Sequence, residues 1–170
     1  GGSATLAESG VMELMKSGRY DFIDRSEAKS REETEEMYRK AFFADTYLTS
    51  ANAVTENGQL YNVDGNSNRV AAICYGPRSV IFVVGINKLV RDLDEAVRRV
   101  KTCAAPANCI RLDCETPCSQ TGECISLKNG GDMPSGCAGE GRVCCNYVVS
   151  AWQRKKNRFK VIIVKESLGY

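Results

Sequence analysis

The chain has 170 residues, enough for one domain that buries a substantial core without disulfides. Its 23 basic residues nearly balance 21 acidic ones, and a net charge of +2 argues against a general nucleic-acid binder and against a membrane-surface protein. With 43% apolar residues, no run approaching the roughly 18–20 residues of a membrane span and no secretory signal, a cytoplasmic globular protein with reduced thiols is expected.

Leu6, Met12, Leu14 and Met15 predict a first helix, capped by Ser3 and ended by Gly18. Residues 20–23 read as a short strand. Ser30 to Glu33 form a capping box, and Met37, Tyr38, Ala41 and Phe42 give one apolar face, so 30–44 is predicted helical. Residues 47–54 and 60–63 read as strands joined by a Glu56-Asn57-Gly58 turn, because Asn-Gly readily takes positive φ. A polar loop, 64–68, leads into a short buried helix over 70–75, with Cys74 in the core. Residues 79–84 are almost continuously β-branched and aromatic, as in a strand covered on both faces. Gly85-Ile86-Asn87-Lys88 follows, then a helix from about Asp92 to Ala104. Residues 103–145 lack periodicity and predict a long irregular excursion. Strands over 147–150 and 160–164 close the chain, the second again of buried type, with the basic run 154–158 as a solvated hairpin turn. Alternating strands and helices predict one α/β domain over 1–170, with a Rossmann-like, mostly parallel sheet and the 103–145 segment as a cysteine-rich insertion.

Two constellations carry candidate chemistry. The first is four polar turns: Gly1-Gly2-Ser3 before a helix, Glu56-Asn57-Gly58, the run Asp64-Gly65 to Asn68-Arg69, and Gly85 with Asn87 and Lys88. Glycines let backbone N–H groups approach a ligand, and Arg69 and Lys88 add positive charge, which suits a small anion. Glu56 or Asp64 would serve as a carboxylate base. Taken singly each is an ordinary turn; four in one α/β chain, where ligands bind beyond strand ends, point to a pocket.

The second is the cysteines, eight of nine lying between Cys103 and Cys145 in a chain with no histidine. Any transition-metal site must therefore use thiolates, carboxylates or backbone. Cys118-x5-Cys124-x12-Cys137-x6-Cys144 contains no Cys-x2-Cys pair, so it is neither a zinc-ribbon nor a ferredoxin spacing. Four thiolates can still converge on zinc or an iron–sulfur cluster, and a bound metal would explain how so irregular a segment orders; disulfides and free thiols are the alternatives. Cys145 is the substitute ligand, while Cys103, Cys109 and Cys114 read first as small apolar fillers. A catalytic thiol would lack the usual histidine base.

The runs NVDGNSNRVAA at 62–72, VVGINK at 83–88 and DLDEA at 92–96 resemble the LUD-domain (lactate utilisation, DUF162) family, as do AAP at 104–106, TPC at 116–118, TGEC at 121–124 and the closing LGY. The resemblance covers essentially the whole chain. It implies a sheet similar to the sugar-phosphate isomerase and CoA-transferase-like folds. It also implies an accessory or catalytic role in oxidising L-lactate or another organic acid, with a small anionic metabolite as ligand and other lactate-oxidation proteins, iron–sulfur and flavin-type among them, as partners; an oligomer would be compatible with it. An isomerase or acyl-CoA-type enzyme, or a non-enzymatic metal-binding or assembly module, is the alternative. Relatives carry a further segment before Gly-Gly-Ser, so an N-terminal part is expected to be missing. Their cysteine pattern runs close to Cys-x5-Cys-x2-Cys-x6-Cys; here residues 126–136 form an insertion, and Cys137 and Cys144 match the last two.

Overall fold

The computed structural model of the chain describes residues 2–170. Its strands are β1 (Thr46–Thr49), β2 (Ala53–Thr55), β3 (Leu60–Asp64), β4 (Ser79–Gly85), β5 (Leu89–Val90), β6 (Asn146–Ser150) and β7 (Phe159–Val164). Its α-helices are α1 (Ala4–Glu8), α2 (Val11–Lys16), α3 (Arg31–Lys40), α4 (Asn68–Cys74), α5 (Leu93–Arg99), α6 (Ala105–Arg111), α7 (Pro117–Thr121) and α8 (Ile125–Lys128). The α/β class is as the alternation predicts. Two compact units form, one from residues up to 50, 71–87 and 153–169, the other from 51–70, 88–152 and Tyr170. No helix among the described residues is long and apolar enough to cross a membrane.

The first unit holds an all-parallel sheet in the order β1-β4-β7. Val80, Phe82, Val83 and Val84 of β4 are buried, as a doubly covered strand requires. α1 packs on β4 through its buried Thr5 and Leu6, and the Thr5 hydroxyl donates to the Leu168 carbonyl. Arg158 is only 3% exposed. Its guanidinium donates to the carbonyls of Ala72 and Ile73, in the last turn of α4, and of Pro77, so a distant cation caps that helix end.

The second unit holds a mixed sheet, β5-β2-β3-β6, in which β2 runs antiparallel to β3 and β3 to β6. The Asn57-Gly58 turn is as expected, with Gly58 at φ 80° and its N–H donating to the Thr55 carbonyl. Ala53, Tyr61 and Val63 of the sheet pack with Ala96 of α5 and Val100. Asp92 caps α5 by accepting from Glu95 N–H at 2.9 Å. The helix then widens into a π-helical stretch, Val100–Ala104, and continues as α6. Pro106 has no N–H to return to the preceding turn, which accounts for the irregularity just upstream of it.

Several expectations need correction. The first predicted helix is two short ones, broken at Gly10 with φ 73°. Residues 20–23 form no strand, and α3 ends at Lys40 in a 3-10 turn, Ala41–Phe43. The predicted 47–54 strand is two strands, β1 and β2, in different sheets. The 154–158 turn is not a hairpin, because β6 and β7 also lie in different sheets, and Arg158 points inward. Val161, Ile162 and Ile163 of β7 are 43–52% exposed, since β7 is an edge strand. Cys74 is exposed, on the open side of α4's last turn, whereas Ala72 and Ile73 are buried. The cysteine-rich segment contains α6, α7 and α8 and is more helical than its composition suggests.

Replacing Arg158 by Met should cost about 2–4 kcal/mol, because it strips three buried carbonyls of their donor; Arg154→Met, on the exposed part of the same run, should change stability by less than about 0.5 kcal/mol. Urea unfolding of both variants checks this.

Candidate functional site

The cysteine-rich segment is organised by two cations. Lys101, in the π-helical stretch, is 3% exposed. Its ammonium donates to the Ser126 hydroxyl at 3.2 Å and to the carbonyls of Asp132 and Ser135 at 2.6 and 2.8 Å. Its own carbonyl accepts from Cys124 N–H. Arg142 donates to the carbonyls of Pro134, Cys137 and Cys144 and to the Tyr147 hydroxyl. Thr116 starts α7 with a capping box shared with Ser119, which fixes Cys118 in the first turn. Gly122 closes α7 at φ 79°, turning the chain toward Cys124.

Cys118, Cys124, Cys137 and Cys144, the four residues singled out by spacing, all line one cavity. Lys101 and Tyr147 share its wall with apolar surface from Val100, Ala105 and Pro117, and its empty space, open mouth included, is about 380 Å³. All nine cysteines are free. Cys118 and Cys124 are buried and Cys137 and Cys144 half-buried, while Cys145 is exposed, its thiol on the Arg142 carbonyl. Cys109 is 1% exposed behind Cys118, with 3.8 Å between their sulfurs, and Cys103 is exposed. Burial pushes the Cys109 thiol up to about 12. Burial also raises Cys124, but the Ser126 hydroxyl, the N–H groups of Leu127 and Ser126 and the Lys101 charge outweigh it and leave that thiol below its usual value. Cys137 is raised, by burial first and then by Cys144 and Cys118.

The set fits a thiolate-bound metal in donor type, donor number and common cavity. Among the described residues, however, no three Cys, Asp or Glu side chains already converge on a single ion position. Tyr61, in the core cluster against which Cys144 and Tyr147 pack, has a buried hydroxyl with no hydrogen-bond partner among the described residues. An acceptor in the thiol cavity's surroundings would satisfy it.

Of the polar turns, Gly1 lies outside the described residues. Gly2 is exposed, and Ser3 caps α1 by accepting from Leu6 N–H. Glu56 and Asn57 are exposed in their turn. Asp64 and Arg69 come together: Arg69 donates to Asp64 Oδ1, to the side-chain oxygens of Asn52 and Asn62, and to the Val63 carbonyl. Asp64 Oδ2 accepts from Val70 N–H, just inside α4, the helix that begins at Asn68. The Asp64 carbonyl accepts from Cys145 N–H, and Gly65 lies where a Cβ would meet Val143 backbone at 3.4 Å. The polar turn and the cysteine segment therefore share a strand pair, β3 with β6. In the other unit, a Cβ on Gly85 would lie 2.6 Å from Leu168 N, and Asn87 accepts from that same N–H and donates to the Gly169 carbonyl. Lys88 is buried, at 4% exposure.

Lys101, Arg142, Tyr61, Tyr147, Asn52 and Asn62 escaped the sequence reading. Only Arg142 carried a signal, a basic residue inside the Cys137-x6-Cys144 spacing. Lys101→Met should cost about 2–4 kcal/mol by orphaning buried carbonyls. It should also move alkylation of Cys124 in reduced, metal-free protein to higher pH, since it removes a charge that favours the thiolate; mass-spectrometric labelling against pH reads the shift.

Comparison with known proteins gives one family. The profile of the LUD domain matches residues 1–164. No curated protein and no solved structure matches the chain. With essentially its full length matched, and an α/β fold carrying the motifs in place, the chain belongs to the LUD domain family, a lactate-utilisation-related family.

Proposed function

We propose that this chain is a component of the oxidation of L-lactate or a similar small organic acid, and that Cys118, Cys124, Cys137 and Cys144 hold its cofactor, a zinc ion or an iron–sulfur cluster. The carrying observation is that these four thiols, widely spaced in sequence, line one cavity. A cluster there would pass single electrons, and a zinc would staple the segment.

Charge favours the assignment. Four thiolates around a divalent cation leave a net charge of −2. Lys101 lines the cavity and its charge favours the Cys124 thiolate, and Arg142 binds the carbonyls of two of the four cysteines, so two cations serve the cysteine set. The low-lying Cys124 thiol is the natural first ligand, because metals take the thiolate. The small anionic metabolite is assigned to the polar turns, of which Asp64–Arg69 adjoins the cysteine segment through Cys145 N–H. An acid–base role for Asp64 has less to rest on, since both its oxygens are already taken by Arg69 and Val70 N–H.

Anaerobically purified protein should contain either iron with sulfide or one zinc. Serine at any of the four positions should lower retention by more than the about 10–100-fold that losing an outer-shell partner costs, whereas Cys103→Ser and Cys145→Ser should leave it unchanged. Brown protein with iron and sulfide makes the role electron transfer, and colourless zinc protein makes it structural or assembly. Native protein that stays metal-free after anaerobic isolation and reconstitution overturns the assignment.

A further inference from the structure

Tyr61 is the second residue of β3 and has no exposed surface. In the β3–β6 register it faces Val149, while Val63, two residues on, faces Tyr147. Tyr61 and Tyr147 are therefore diagonal neighbours on one face of the sheet, and that face is where Cys144 packs. Tyr147 lines the thiol cavity, and its hydroxyl accepts from Arg142 at 3.2 Å. The Tyr61 hydroxyl has no partner among the described residues. A buried hydroxyl left unbonded is costly, and phenylalanine would fill the same space without that cost. The oxygen makes sense if an acceptor arrives that the empty cavity does not supply.

We propose that the Tyr61 hydroxyl donates its hydrogen bond to the metal-bound sulfur of Cys144, which makes Tyr61 a positioning residue for the group held by the four cysteines. The inference rests on the tetrathiolate reading above. A metal-bound thiolate is a charged, strong acceptor, whereas a thiol sulfur is a weak one. The bond is thus absent from the empty protein and present in the loaded one. Arg142 acts through Tyr147, to whose hydroxyl it donates, so Cys144 would take one neutral donor and one cation-backed donor.

The test compares Tyr61→Phe with native protein in the empty and loaded states. Empty, reduced Tyr61→Phe should melt at the native temperature or above it, because only an unsatisfied group has been removed. Loaded, it should bind cobalt(II), followed by its thiolate charge-transfer absorption, or zinc by competition, about 10–100-fold more weakly. If reconstitution gives a cluster instead, its midpoint potential should fall, since a donor to sulfur favours the more negative, reduced form. A lower melting temperature in the empty variant would mean that the hydroxyl is already bonded without metal, and would overturn the inference. So would unchanged metal affinity and potential in a variant that loads normally, which would leave the tetrathiolate reading intact. Native protein that takes up neither cobalt, zinc nor a cluster would overturn both.

Discussion

A buried ammonium must be surrounded by oxygen, and Lys101 finds its three acceptors in Ser126, Asp132 and Ser135. All three lie in the 126–136 stretch between Cys124 and Cys137. The residues of that stretch are thus not a slack loop. They form the coordination shell of a cation rooted in the helix that packs on the second unit's sheet, and they set where the two cysteines flanking them end up. Arg142 does the same for the far side of the segment with carbonyls of Pro134, Cys137 and Cys144. An irregular run of chain is thus tied down by two side chains bonding to its backbone.

The same device recurs. Arg158 closes the end of α4, and Arg69 ties Asp64 to Asn52 and Asn62. Long basic side chains reach across sequence to carbonyls and amides that secondary structure leaves unpaired. With four such residues turned inward, the balanced formal charge of the sequence says little about how the positive groups are deployed.

Much of this was legible in the residues. β4 announced itself by its unbroken β-branched and aromatic run, α5 by Asp92, and the hairpin turn by Asn57-Gly58. Cys118 and Cys124 follow turns with strong local chemistry, Thr116-Pro117 and Thr121-Gly122, whereas Cys137 and Cys144 were picked as matches to the cysteine pattern of the family that the chain resembles. What could not be read was long-range. Nothing local distinguishes Arg158, buried, from Arg154, exposed, or Lys101 from any other lysine of a helix. Tyr61 sits in a run buried at every position, so alternation gave no hint of its orphaned hydroxyl. The 47–54 stretch hid a crossover, since propensity does not mark where a strand leaves one sheet for another.

The interleaved build of the two units has a consequence for their assembly. Each is drawn from separated stretches, and β7, paired with β4 through the register Val80–Phe159 to Gly85–Val164, arrives only after the whole cysteine segment has been traversed. No contiguous piece contains either unit intact. During synthesis β7 emerges only after the whole cysteine segment, so until then β4 has only β1 beside it and the parallel sheet is incomplete. Loop-closure entropy places the joining of β4 and β7 late, and the cysteine-bearing unit is the one with the chance to take shape first.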